Sequence, residues 1–234
     1  MGQGFVALVG AGPGELGLLT LKGKEYIYKA DVVVYDRLVS QEILDLIPLG
    51  TKRIDVGKDS GNHKVPQEEI NQILLAEAKK GKLVVRLKGG DPFLFGRGAE
   101  ELELIVKNNI PFEVVPGITS ALSVPTYAGI PVTHRDISSS VHIITGHRKK
   151  NEELEIDYKA LAKVGGTLIF LMGVANLKEI MEGLIEAHMD KQTPAAVIEN
   201  GTYPNQRVIV GNLENIYEKA NASNIKPPSV IVVG

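Results

Sequence analysis

The sequence predicts an α/β protein of two domains: a mostly parallel, doubly wound sheet over residues 1–132 and a mixed α/β sheet over residues 133–234. Three observations predict it. Short apolar runs alternate with amphipathic segments through the first half, as a parallel sheet with crossover helices requires. Several of those runs stop at glycine turns, notably Gly10 to Gly17, Gly89-Gly90 and Pro116-Gly117. In the second half the runs 195–198 and 206–210 lie too close together for a crossover helix, so they pair as a hairpin and mix the sheet.

Phe5 to Val9 reads as a first buried strand, followed by a glycine loop and a helix from Thr20 to Ala30. Asp31 to Asp36 is a second strand with an acid at its end. Glu42 to Ile47 is a short helix stopped near Pro48, and Arg53 to Val56 a third strand. From Gln67 to Lys80, Ile70, Ile73, Leu74 and Ala78 fall on one face, and Gly81 supplies the C-cap. A fourth strand reaches Lys88, a helix covers Glu100 to Asn108, and Phe112 to Val115 is a fifth strand before a turn at Pro116 to Ala121. Proline and charge gather at 129–136, which places the domain junction there. Beyond it the second half opens on the apolar run Val141 to His147 and continues with a strand over Thr167 to Gly173 that ends in a glycine, a helix from Ala175 to Ala187 with Leu177, Ile180, Met181, Leu184 and Ile185 inward, the hairpin, a helix Leu213 to Ala220 capped by Asn212, and a last strand Ser229 to Val233.

The net charge of −2 gives no general attraction to nucleic acid or to an anionic membrane. Cysteine is absent, which excludes disulfides and thiolate chemistry. No apolar run is long enough to span a bilayer and no basic leader precedes the first strand, so the expectation is a soluble cytoplasmic protein. The five histidines, at 63, 134, 142, 147 and 188, include no pair spaced to put two ligands on one helix face, so no metal site is expected.

The densest chemistry lies in Arg86-Leu87-Lys88-Gly89-Gly90-Asp91-Pro92-Phe93-Leu94-Phe95-Gly96-Arg97-Gly98. Glycines where a parallel strand ends let backbone amides approach a ligand, and the flanking cations and aromatics suit a large, flat anion. The bland alternative is a tight turn with a capping aspartate. Gly12-Pro13-Gly14-Glu15-Leu16-Gly17 matches the dinucleotide fingerprint G-x-G-x-x-G, with Asp36 about 20 residues on. A nicotinamide-dependent oxidoreductase is therefore the competing reading, although Pro13 removes a donor from that loop. A non-catalytic anion-binding module is a third. His134-Arg135-Asp136 lacks the partners of a kinase catalytic loop.

Taken in order, Val9 to Gly14, Leu18 to Lys22, Tyr35 to Val39, Arg86 to Gly98 with Glu100-Glu101, Val114 to Thr119 and Ala128 to Asp136 resemble the tetrapyrrole methylase family, over nearly the whole chain. Within it they are similar to the enzymes that methylate uroporphyrinogen III. What this implies is a two-domain α/β enzyme with a cleft between domains, usually a homodimer. It would use S-adenosylmethionine and no metal to methylate C2 and C7 of uroporphyrinogen III, giving precorrin-2 by way of precorrin-1 for sirohaem or cobalamin biosynthesis. Pro13, Gly89, Gly90, Asp91, Leu94, Thr119, Ser120, Met172 and Gly201, with Ala196 beside them, fall where the family holds S-adenosylmethionine. Asp36 and Lys58 fall where its proposed proton acceptor and donor sit. The chain departs from the commonest pattern at Glu15 to Gly17 and at Asp59, where a basic residue often follows the lysine.

Eight carboxylates on the acceptor would explain the cationic loops. Arg37, Arg86, Lys88, Arg97, His134 and Arg135 are the expected clamp, against the alternative that some of them only pair with Asp36, Asp91 or Asp136.

Overall fold

A computed structural model describes residues 3–57, 65–146 and 156–234. The chain divides into two compact units, Met1–Thr119 and Ser120–Gly234.

The first unit runs β1 (Phe5–Gly10), α1 (Leu21–Lys29), β2 (Val32–Tyr35), α2 (Gln41–Leu44), β3 (Lys52–Asp55), α3 (Gln67–Ala78), β4 (Leu83–Lys88), α4 (Gly98–Lys107) and β5 (Phe112–Val115). Its strands form one parallel sheet in the order β3-β2-β4-β1-β5. Strand side chains alternate between faces, and the apolar runs are buried on both. Val6, Leu8, Val32, Val34 and Val84 pack with Leu74 of α3 and Ile105 of α4. Ala7, Val9, Val33, Val85 and Leu87 pack on the opposite face with Ile27 of α1 and Ile43 of α2. Leu8, Ile27, Leu74, Leu87 and Ile105 are wholly buried, each contributing roughly 2 kcal/mol by transfer from water. Thr20 caps α1 by accepting from Gly23 N at 3.0 Å, and Gly81, at φ +78°, donates to Ala78 O just past α3.

The second unit runs α5 (Ser120–Tyr127), β6 (Val141–Thr145), α6 (Tyr158–Val164), β7 (Thr167–Leu171), α7 (Leu177–Glu186), β8 (Pro194–Glu199), β9 (Arg207–Asn212), α8 (Ile216–Ala222) and β10 (Ser229–Val233). The strand order is β6-β7-β10-β8-β9. Only β6 with β7 is parallel among these pairs, and β8 with β9 is the expected hairpin. One face, bearing Leu168, Phe170, Val197 and Ile231, packs on Ile180, Met181 and Leu184 of α7 and Ile216 of α8.

Four features differ from expectation. Residues read as a turn at Pro116 to Ala121 instead lead into α5, a helix that carries Pro125 inside it. Ser-Ala-Leu-Ser-Val-Pro-Thr-Tyr has no amphipathic period to announce a helix; packing against β7 and β10 decides it. That packing also puts α5 in the second unit, so the division falls at 119/120 and not at the expected 132/133. Helix α6 has no counterpart in the expected elements; Asp157 caps it by accepting from Ala160 N at 2.9 Å. Asn212 does not cap a helix from Leu213: it ends β9 and exchanges two 3.1 Å hydrogen bonds with Asn215, and α8 begins at Ile216.

Candidate active site

Strand order decides where a ligand can enter the first unit. From β1 the chain crosses toward β2 by way of α1, whereas from adjacent β4 it crosses the other way to β5 by way of α4, so the loops at their carboxyl ends leave the sheet on opposite faces, the kind of switch point at which open α/β sheets bind ligands. The glycine turns lie there. Gly12 N donates to Gly90 O at 3.2 Å and Gly90 N to Gly12 O at 2.7 Å, joining the β1 and β4 loops. Asp91 extends the junction: Oδ1 accepts from Phe93 N and Leu94 N, and Oδ2 accepts from Gly117 N, in the loop after β5, at 3.2 Å. Pro13, Gly89, Gly90, Asp91, Leu94 and Thr119 are thus all brought to one edge of the sheet by three loops.

The glycines have separate reasons. A Cβ on Gly89 would stand 2.4 Å from Leu38 Cβ, so this glycine serves close packing. Gly10 and Gly117 lie backbone against backbone, with a Cβ on Gly117 only 2.1 Å from Gly90 O. Gly90 is different: at φ +70° its Cβ direction meets nothing within 4 Å. That is bare backbone facing open space, the form of a ligand cradle. Phe95 and Arg97 in the same loop are also left-handed, at φ +53° and +58°. Non-glycine residues held in that region concentrate at ligand sites.

The fingerprint Gly12 to Gly17 is not a dinucleotide turn. The third glycine, Gly17, lies inside a 3-10 turn, Leu16–Leu18, and α1 opens only at Leu21, so no α-helix N-terminus meets it. This removes the structural context that the oxidoreductase reading needs.

Asp36 sits just beyond β2, with a quarter of its side chain exposed. Its Oδ1 accepts from Leu38 N at 3.1 Å and its Oδ2 lies 3.4 Å from Arg86 Nη2. Lys58 lies outside the described residues. Arg86 and Lys88 point the same way from β4 and are 3% and 4% exposed. Both donate to one oxygen of Glu101 on α4, Arg86 Nε at 3.2 Å and Lys88 Nζ at 2.8 Å. Arg86 Nη1 also donates to Leu87 O at 2.9 Å. Burial, reinforced by the Arg86 charge, pushes the Lys88 ammonium below its ordinary value, with Glu101 opposing. Arg86 and Lys88, expected in the acceptor clamp, are turned by alternation along β4 into the α3/α4 face, where they meet an acid. Nothing in the sequence singles out Glu101, since acids are common in the first turn of a helix.

Arg97 is exposed and forms a two-point pair with Glu100, at 2.9 and 2.6 Å, which holds its guanidinium firmly charged. Arg37 is exposed just after Asp36.

In the second unit, His134 and Arg135 are exposed on a turn closed by paired hydrogen bonds between His134 and Ser138. Ser120 opens α5. Met172, half-exposed at the end of β7, is left-handed at φ +57°. Ala196 is buried in the middle of β8. Gly201 follows β8, between Asn200 and Thr202 at φ +48° and +70°, and a Cβ on it would strike Val124 of α5 at 2.4 Å. A β-branched threonine in that conformation is a rarity that the sequence does not announce. Among the described residues no cluster of acids and histidines could hold a metal ion, and no helix is long and apolar enough to cross a membrane.

Known proteins resemble the chain over most of its length. The sequence profile of the tetrapyrrole (corrin/porphyrin) methylases matches residues 6–217. The chain is 57% identical over its full length to the porphyrin biosynthesis protein HemD of Ruminiclostridium josui, and 54% identical over 99% of its length to siroheme synthase 2 of Yersinia enterocolitica. It spans 46% and 48% of those two proteins, about half of each. Among solved structures, the native uroporphyrin III C-methyl transferase of Thermus thermophilus superposes with a TM-score of 0.83 at 36% identity, covering 99% of this chain and 92% of that one. The same enzyme complexed with S-adenyl homocysteine gives 0.84. The chain belongs to the tetrapyrrole (corrin/porphyrin) methylase family.

Proposed function

We propose that the chain is an S-adenosylmethionine-dependent uroporphyrinogen-III C-methyltransferase that methylates C2 and C7 and releases precorrin-2, by way of precorrin-1, for sirohaem or cobalamin formation. The observation that carries the reading is the bare backbone at Gly90, tied to the β1 loop through Gly12 and to the β5 loop through Asp91. Support comes from the uroporphyrin III C-methyl transferase of Thermus thermophilus, alike over 99% of this chain.

In the first unit we assign Pro13, Gly90, Asp91, Leu94 and Thr119 to the cofactor, with Gly89 shaping the turn. In the second unit Ser120, Met172, Ala196 and Gly201 are assigned to it. S-adenosylmethionine supplies a methyl group already made electrophilic by its sulfonium. The protein's part is to place the acceptor carbon in line with it, which makes orientation the largest contribution. Asp36 takes the proton that the methylated ring carbon must shed, and Lys58 is the proton donor. The exposed cations Arg37, Arg97, His134 and Arg135 bind acceptor carboxylates, the arginines through paired hydrogen bonds. The working form is a cytoplasmic homodimer.

Anaerobic incubation with uroporphyrinogen III and S-adenosylmethionine, followed by mass spectrometry, tests the reading. Two added methyl groups are expected. Transfer only to a later corrinoid acceptor, or saturable binding of NAD(H) in place of S-adenosylmethionine, would overturn it.

A further inference from the structure

The α3/α4 face of the first sheet is aliphatic at Val6, Leu8, Val32, Val34 and Val84. Into that face β4 also puts Arg86 and Lys88, both nearly without exposure. Taking two cations out of water is costly, and a hydrophobic set of similar volume is often as stable or more so. Holding the sheet together does not by itself account for them.

Glu101, with no exposure at all, accepts from Arg86 Nε, Lys88 Nζ and Gln67 Nε2 on the single oxygen Oε1. Its Oε2 has no partner among the described residues. One carboxylate cannot balance two cations, and among the described residues the second one paired with them is Asp36. Arg86 Nη2 faces its Oδ2 at 3.4 Å, so Asp36 is the second carboxylate set against this pair of basic side chains. The guanidinium cannot swing away. Nε is fixed by Glu101 and Nη1 by Leu87 O, which leaves Nη2 one place to point.

We propose that Arg86, locked by the buried carboxylate of Glu101, is a positioning residue that aims Asp36 for proton removal. The inference rests on the reading of Asp36 as proton acceptor and extends it to the residues behind it. A base displaced by about 1 Å can lose on the order of 10² in rate without any change in binding, so the device acts on turnover. Lysine cannot replace it, because one ammonium does not span three acceptors set in a plane.

The test compares Asp36→Asn, Arg86→Met, Arg86→Lys and the two double variants that combine Asp36→Asn with each Arg86 substitution, assayed in the intact chain with uroporphyrinogen III and S-adenosylmethionine. Arg86→Met is expected to lower kcat on the order of 10²-fold, with KM and calorimetric S-adenosylmethionine affinity changing less than about twofold. Arg86→Lys should fail to restore the rate, and it carries the same comparison if Arg86→Met does not fold. In the Asp36→Asn background either Arg86 substitution should cost nothing further. Unchanged turnover in Asp36→Asn overturns the base reading and this proposal together. A slow Asp36→Asn beside a fully active Arg86→Met, or two losses that multiply independently, overturns this proposal alone.

Discussion

Gly12 and Gly90, 78 residues apart in the chain, exchange hydrogen bonds of 3.2 and 2.7 Å between their backbones and so fuse the two loops at the crevice of the first sheet. The contact leaves Gly90 left-handed with its Cβ direction open. Space that the protein does not fill is space a ligand can use, and several predictions turn on that difference.

Gly90→Val puts a branched side chain into the open direction and should abolish S-adenosylmethionine binding by calorimetry. Backbone strain alone costs roughly 1–2 kcal/mol, so a control is needed. Gly50 is left-handed too, at φ +92°, with nothing near its Cβ. Gly50→Val should lose comparable stability and keep its affinity. Equal affinity in both variants would remove the cradle from Gly90.

Gly117→Ala should destabilise the first unit by about 3 kcal/mol, because its Cβ would lie 2.1 Å from Gly90 O and 2.7 Å from Gly10 Cα. Backbone cannot yield there as a side chain would. Denaturant titration reads the loss; a change under about 0.5 kcal/mol would mean that the loops part easily.

Surface and buried cations should separate kinetically. Arg37→Ala and Arg135→Ala should raise KM for the polyacidic acceptor several-fold, and added salt should erase much of the difference, since exposed charges are screened within about 8 Å at physiological ionic strength. Lys88→Met should show no such salt dependence, its ammonium being buried against Glu101. A salt response shared by all three would place Lys88 in the acceptor's path after all.

Glu77, almost buried in α3, accepts from Lys52 and Lys80 at 2.7 Å each, and those hydrogen bonds hold its carboxyl below the usual 4.5. A carboxylate lowered in the folded state stabilises above its unfolded value, and that stability is lost as pH falls through the folded one. Glu77→Gln should therefore cost about 1 kcal/mol at pH 7, both lysines being half exposed. The gap from the parent should close below pH 4.5. A gap that persists in acid would assign the effect to packing.

Much of the fold was legible because it is local. Short apolar runs located all five strands of the first sheet, the 3.6 period located the helices at 67–78, 98–107 and 177–186, and the short spacing between 195–198 and 206–210 disclosed the hairpin. Helix α5 was not legible: Ser120 to Tyr127 carries no apolar stripe and contains Pro125, so only the surface offered by β7 and β10 makes it a helix. Position at the crevice was readable for Gly90 and Asp91, since both follow an apolar run that stops abruptly.

By itself the sequence determined that strands end in bare glycine turns bordered by Arg86, Lys88 and Arg97, and that order of motifs carried the family. Tertiary structure alone decided which of those cations meet solvent. Alternation along β4 turns Arg86 and Lys88 inward onto Glu101, whereas the loop leaves Arg97 outside with Glu100. Charge is written in the residue type, but whether a charge is spent on a buried partner or left for a ligand depends on which face of the sheet it occupies and on what a helix far along the chain lays across it.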